Sequence, residues 1–188
     1  MNEHQYGFQR EVSTENASHI LLNKTLTAMN SKQFVGGIFC DLHKVFDCIN
    51  HVVLLEKLKF YGTSGKFYNL VKSYLDSRYQ KVILSHNNDT ECTWGKIKQG
   101  VPQGSILGLL FFLIYVNDLP KLESIGNKIF LYADDTSIIV TSSNLVKFET
   151  QTDKIFGDNN WFKINQLVLN YNKTHYLHFN VKIVGIMI

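Results

Sequence analysis

Two adjacent carboxylates, Asp134 and Asp135, interrupt the strand-forming stretch FLYADDTSIIV (Phe130 to Val140). Asp has low strand propensity, and neighbouring like charges repel. A third carboxylate, Asp41, ends the largely apolar run FVGGIFCD (Phe34 to Asp41). At the rim of a predicted core an unpaired charge is costly, so Asp41 needs an Arg, backbone amides or a cation. If the two strand ends are neighbours in one sheet, Asp41, Asp134 and Asp135 converge. Mg²⁺ suits such a cluster, since it prefers hard oxygen ligands, keeps water and completes its shell with substrate phosphates. Two ions about 4 Å apart can activate an attacking hydroxyl and stabilise the leaving oxygen of an in-line displacement. The chemistry implied is phosphoryl or nucleotidyl transfer. A plain hairpin turn is the commoner setting for an Asp pair, and spacing alone leaves both readings open.

The loop QGVPQGSILG (Gln99 to Gly108) is a second candidate. Gly100 and Gly104 remove side-chain bulk and Pro102 stiffens the path, so backbone can approach a flat ligand. Gln103 offers a donor and an acceptor together, and Ser105 can cap the helix that follows. Taken alone, the loop reads equally well as an ordinary helix N-terminal turn.

The elements that must hold these residues are legible from periodicity. QREVSTENASHILLNKTLTAMNSK predicts a helix with Ser13 as N-cap, Glu15 in the first turn, and Ala17, Ile20, Leu21 and Ala28 on one face. FVGGIFCD predicts a buried strand whose Gly36 and Gly37 allow another backbone close approach. HVVLLEKLKFYG carries Leu54, Leu58 and Tyr61 at helical spacing, with Gly62 as a stop. SGKFYNLVKSYLDSR carries a stripe of Phe67, Leu70, Val71, Tyr74 and Leu75. YQKVILS and CTWGKIKQG read as strands paired around the turn HNNDTE. ILGLLFFLIYV (Ile106 to Val116) reads as a buried core helix, and its 11 residues fall short of the roughly 18 a membrane span needs. A helical region follows from about Asn144 to Gln166, and THYLHF and KIVGIMI close the chain as strands. Strands and helices interleave without regular βαβ alternation, so the expected class is α+β with a mainly antiparallel sheet.

Composition sets bounds. The 188 residues suffice for one domain with a real core, and 45% hydrophobic with 19% charged is globular. A net charge of +3 is compatible with nucleic acid without arguing for it, since the cations are scattered. Three cysteines with no C-x-x-C pair argue against a disulfide framework or zinc site and favour a reducing compartment. The N-terminus carries no apolar signal region, and a soluble protein is expected.

Together these segments resemble the reverse transcriptases of non-LTR retrotransposons of the jockey kind. GIFCDLHKVFDCINHVVLLEKLKFYG looks like that family's motif A, KQGVPQGSILGLLFFLIYVNDLP like motif B, and FLYADDTSIIV like motif C. WFKINQLVLNYNKTHYLHF resembles motif D, and QYGFQREVSTENA is similar to the last fingers motif. Five motifs in order over nearly the whole chain favour the metal-site reading of the Asp pair.

The resemblance implies a right-hand polymerase palm with part of the fingers: 1–33 as the end of the fingers, 34–180 as palm, and 181–188 as the start of a primer-grip region cut short. It implies an RNA-directed DNA polymerase with Asp41, Asp134 and Asp135 holding two Mg²⁺ ions (Mn²⁺ being the alternative) and the main-chain carbonyl of Leu42 beside them. Phe46 would be the steric gate against a ribose 2′-hydroxyl, Gln103 and Gly104 would line the nascent base pair, and Lys173 would neutralise or protonate the leaving pyrophosphate. Asp47 and Asp118 are assigned to structure. Expected partners are an RNA template, a DNA primer or target and deoxynucleotides, with fingers, thumb and endonuclease portions of a parent protein and no membrane; location is left open by the residues, and element biology implies an intracellular, nuclear setting. The sequence departs from the family at Val45, where Ala is usual, at Leu109, where Pro is usual, and at Gln9 and Val12, where basic residues are usual. A truncated inactive remnant and a non-catalytic nucleic-acid-binding module are the competing expectations.

Overall fold

The computed structural model describes residues 2–9, 12–84, 90–124, 126–157 and 160–179. In chain order the elements are α1 (Thr14–Asn30), β1 (Phe34–Cys40), α2 (Val45–Cys48), α3 (His51–Phe60) and α4 (Gly65–Asp76). The short strands β2 (Tyr79–Gln80), β3 (Ile83–Leu84), β4 (Thr90–Glu91) and β5 (Gly95–Lys96) come next, then α5 (Ile106–Val116). A 3-10 turn (Leu119–Leu122) leads to β6 (Asn127–Tyr132), β7 (Asp135–Ser142), α6 (Leu145–Phe156), α7 (Trp161–Ile164) and β8 (His175–Phe179). The chain divides into two compact units, one drawn from Met1–His43 with Val116–Ile188, the other from Lys44–Tyr115.

The first unit is built on an antiparallel sheet in the order β6-β7-β1-β8. Its central strands are buried because Val, Ile and Phe suit a pleated surface covered on both faces. Val35, Ile129, Ile138, Ile139 and Val140 have no exposed surface, and each fully buried side chain of this size stabilises by about 1.5–3 kcal/mol. On one face, α1 sets Ala28, Ala17, Leu21 and Met29 against Tyr6, Val35, Phe130 and Ile139. On the other, α6 brings Phe148 over Gly36, where an added Cβ would come within 2.5 Å of the ring's Cζ. Gly37 is covered by the rings of Phe179 and Phe39. The two glycines thus make room for aromatic rings; the expected close approach of another backbone is not what fills the space.

Helix α1 starts as predicted: Ser13 Oγ accepts from Asn16 N, and Asn16 completes a capping box. Ile20, expected on its buried face, is exposed. The predicted helix from Asn144 to Gln166 is two helices. Its break falls at Gly157, and Asn160 caps α7 by accepting from Lys163 N. The strand expected in KIVGIMI and most of the HNNDTE turn lie outside the described residues.

In the second unit, α3 and α4 form where predicted, and Leu54, Leu58, Val71 and Leu75 are buried. Phe67, Leu70 and Tyr61, expected on the same stripes, are exposed. The strand pairing expected from YQKVILS and CTWGKIKQG is reduced to two-residue ladders, β2 with β5 and β3 with β4. Helix α5 buries Phe111, Phe112 and Tyr115, but its first residue, Ile106, is 88% exposed, so the helix is a core element only beyond its first turn. No helix among the described residues is long and apolar enough to cross a membrane.

Candidate active site

The antiparallel register pairs Cys40 of β1 with Thr136 of β7. Continued by one residue, it sets Asp41 across from Asp135. Strands β6 and β7 form a hairpin closed by the Tyr132–Asp135 pair, leaving Ala133 and Asp134 as a two-residue turn. Of the residues in this turn, Ala133 takes a positive φ, at 56°. Asp134 does not, so the turn is not of type I′, which needs positive φ at both central residues. An alanine there costs about 1–2 kcal/mol of backbone strain.

Asp41 is half-buried, and its partner is an amide: Asn170 Nδ2 donates to Asp41 Oδ2 at 2.9 Å. The Asn170 backbone N–H also donates to the Asp41 carbonyl at 2.8 Å. The Asn170 carbonyl in turn accepts from the N–H groups of Lys173 and Thr174. One asparagine therefore ties Asp41 to the turn that presents Lys173. Leu42 bridges Leu169, with the flanking bonds running from His43 N to Val168 O and from Asn170 N to Asp41 O. That ladder does not use the Leu42 carbonyl.

Asp41, Asp135, Thr136, Ser137, Lys173 and His175 line a pocket of about 470 Å³, within the size range of small-molecule sites. Asp135 is exposed, yet partial desolvation of its carboxyl, then the charges of Asp134 and Asp41, raise it above its ordinary value. Burial alone pushes the neighbouring Cys40 thiol up to about 12.

The remaining predicted residues belong to the second unit. Phe46 is half-buried, its ring 5.1 Å from that of Phe112. The glycine-proline loop is fastened by Gly100 N to Ile49 O and Val101 N to Phe46 O, both at 2.8 Å. At Gly100, φ is 85° and an added Cβ would lie 2.9 Å from Asp47 O. Its lack of a side chain therefore admits the chain's own backbone. Gly104, with φ at 77°, has nothing within 4 Å of where a Cβ would stand. Gln103 is exposed, its Nε2 3.5 Å from Asp47 Oδ1. Ser105 caps α5 as predicted, accepting from Gly108 N at 2.9 Å.

The sequence profile of the reverse transcriptase (RNA-dependent DNA polymerase) family matches residues 1–188. The chain belongs to the reverse transcriptase family. It is 34% identical over 143 residues to a probable RNA-directed DNA polymerase from transposon X-element of Drosophila melanogaster, covering 74% of this chain and 15% of that protein. It is 30% identical over 148 residues to the RNA-directed DNA polymerase from mobile element jockey of the same organism, covering 76% and 16%. The chain thus spans about 15% of the length of the first of these relatives. Among solved structures, telomerase from Candida tropicalis shares the fold at a TM-score of 0.64 and 19% identity, over 90% of this chain and 30% of that one.

For a reverse transcriptase the acidic end of this sheet is where a divalent ion would be sought. Among the described residues no three His, Cys, Asp or Glu side chains form a metal-ligand group. Mg²⁺ does not demand one, since it commonly takes one or two carboxylates and fills its shell with water and phosphate. Asp41 and Asp135 lining one pocket, with Asp134 acting electrostatically on Asp135, fit that kind of site. Asn170 and His175 were missed in the sequence; Asn170 lay inside a quoted motif, but no local signal marks an asparagine as the partner of a residue 129 positions away.

Proposed function

We propose that this chain carries the nucleotidyl-transfer centre of an RNA-directed DNA polymerase of a mobile element, extending a DNA primer on an RNA template. The observation that carries the reading is that the β1–β7 ladder ends at the Cys40–Thr136 pair, next to Asp41 and Asp135, and that both carboxylates line one pocket beside the Asp134 turn. Family membership and relatives from mobile elements support it. Asp41, Asp134 and Asp135, with the Leu42 carbonyl, would hold Mg²⁺, which when bound would activate the primer 3′-hydroxyl and neutralise charge on the phosphates. Lys173, which lines the same pocket, would offset charge on the leaving pyrophosphate or protonate it. Phe46 would pack under the sugar and exclude a 2′-hydroxyl, while Gln103 and Gly104 would line the nascent base pair. Residues 1–33 would be the end of the fingers and 34–180 the palm.

Primer extension tests this directly, using the purified chain with an RNA template, annealed DNA primer, deoxynucleotides and Mg²⁺. Extension is expected, with a loss of at least about a hundredfold in Asp134→Asn. A folded chain that does not extend the primer overturns the reading. Salt-sensitive duplex binding without extension would then indicate a nucleic-acid-binding module, and neither activity a non-catalytic remnant.

A further inference from the structure

Residues 4–6 run along the outer edge of β6. Gln5 forms a parallel bridge with Leu131, Tyr6 N donates to Leu131 O at 2.7 Å, and Leu131 N donates to His4 O at 2.9 Å. This places Gln5, only 1% exposed, beside the turn that carries Asp134. Its side-chain Oε1 accepts from Ala133 N at 3.1 Å and from Gly7 N at 2.9 Å, and its Nε2 lies 3.5 Å from Ala133 O. Both main-chain polar groups of Ala133 therefore face one buried amide. A two-residue hairpin turn needs no such support from outside its own strands, and Ala133 is the residue that takes the left-handed φ. Gly7 completes the clamp, since an added Cβ there would collide with Ala133 N.

We infer that Gln5 is a positioning residue: by gripping the Ala133 peptide it holds the strained turn and fixes the direction in which Asp134 and Asp135 are presented. An amide suits the task because it offers an acceptor and a donor on one rigid plane without adding charge. A carboxylate there would add negative charge next to Asp134 and Asp135, and an apolar side chain would take the acceptor away from the half-buried Ala133 N–H. The catalytic consequence rests on the polymerase reading above; the clamp itself does not.

Two measurements keep the two claims apart. Amide hydrogen exchange on the whole chain, in wild type and Gln5→Met, reads the clamp without any catalysis. Exchange at Ala133 is expected to rise at least tenfold while Leu131, whose N–H bonds to His4 O, stays protected. Gln5→Glu, which keeps the Oε1 acceptor, is expected to restore most of the Ala133 protection. In primer extension, Gln5→Met is expected to lower kcat at least tenfold with KM for deoxynucleotide changed less than threefold. Unchanged Ala133 exchange in Gln5→Met overturns the inference. So does simultaneous loss of protection at Leu131 and Ala133, because the segment then merely undocks. Loss of exchange protection as expected, in a wild type that shows no extension, upholds the clamp and sinks only the polymerase reading.

Discussion

Asp41 meets Asn170 through both its carboxylate and its carbonyl, and this pair sets what single substitutions should do. A hydrogen bond to a charged group contributes about 1.5–3 kcal/mol, less where water can replace it. Asn170→Ala is therefore expected to cost about 1–2 kcal/mol in urea unfolding; no measurable change would mean that water serves Asp41 as well as the amide. Asp135 has the opposite character. Partial desolvation, Asp134 and Asp41 raise its carboxyl above the ordinary 3.8, so its contribution favours folding fully below that value and is lost as pH rises through the folded-state value. Asp135→Asn should accordingly raise the urea midpoint at neutral pH, with the gain shrinking as pH falls toward 3.8. A gain that does not vary with pH would refute this. Cysteines give a third test, because the thiolate is the reactive form. Iodoacetamide should modify exposed Cys92 first and buried Cys40 only on unfolding, read by mass spectrometry of time points.

At the scale of elements, periodicity found nearly every helix and strand but misjudged what covers them. Gly36 and Gly37 were legible as points of close approach. That aromatic rings from α6 and β8 fill the space depends on residues more than a hundred positions downstream. Gly36→Ala should destabilise by about 1–3 kcal/mol through overpacking. Trimming the clashing ring in Gly36→Ala/Phe148→Leu should recover part of that loss relative to the sum of the single changes; strict additivity in urea unfolding would show that the ring is not the obstacle. The exposed Phe67 and Leu70 teach the same point from the other side. A helical stripe reveals which side chains share a face, whereas the width of the partner decides how many of them are buried. The break at Gly157 was readable in principle, since Asn160 is a good N-cap, although the stretch from Asn144 to Gln166 reads as one helical region when the glycine is passed over.

For the molecule as a whole, binding energies should follow charge. A net charge of +3 with scattered cations predicts weak duplex binding, with a dissociation constant no tighter than about 10⁻⁶ M near physiological salt. Filter binding across a salt series checks it, and nanomolar affinity would contradict it. A divalent ion held by the acidic end of the sheet would stabilise the fold by mass action, about 2.7 kcal/mol at a hundredfold excess over its dissociation constant. Thermal melts with Mg²⁺ and with a chelator should differ in wild type and coincide in Asp41→Asn. A shift that survives in Asp41→Asn would locate the ion elsewhere.

The chain's own order of residues determined the α+β class, the strand ending in Asp41, the hairpin carrying Asp134 and Asp135, the Ser13 and Ser105 caps and membership of the reverse transcriptase family. These depend on local propensity, periodicity and motif spacing, which reach only a few residues along the chain. Tertiary structure decided that Asp41 and Asp135 line one pocket at the end of the β1–β7 ladder, that Asn170 holds Asp41 and the turn carrying Lys173 at that pocket, and that Gln5 grips Ala133. Each of these pairs residues far apart in sequence, and such pairs meet only when strand order and register are set by burying both faces of the sheet at once.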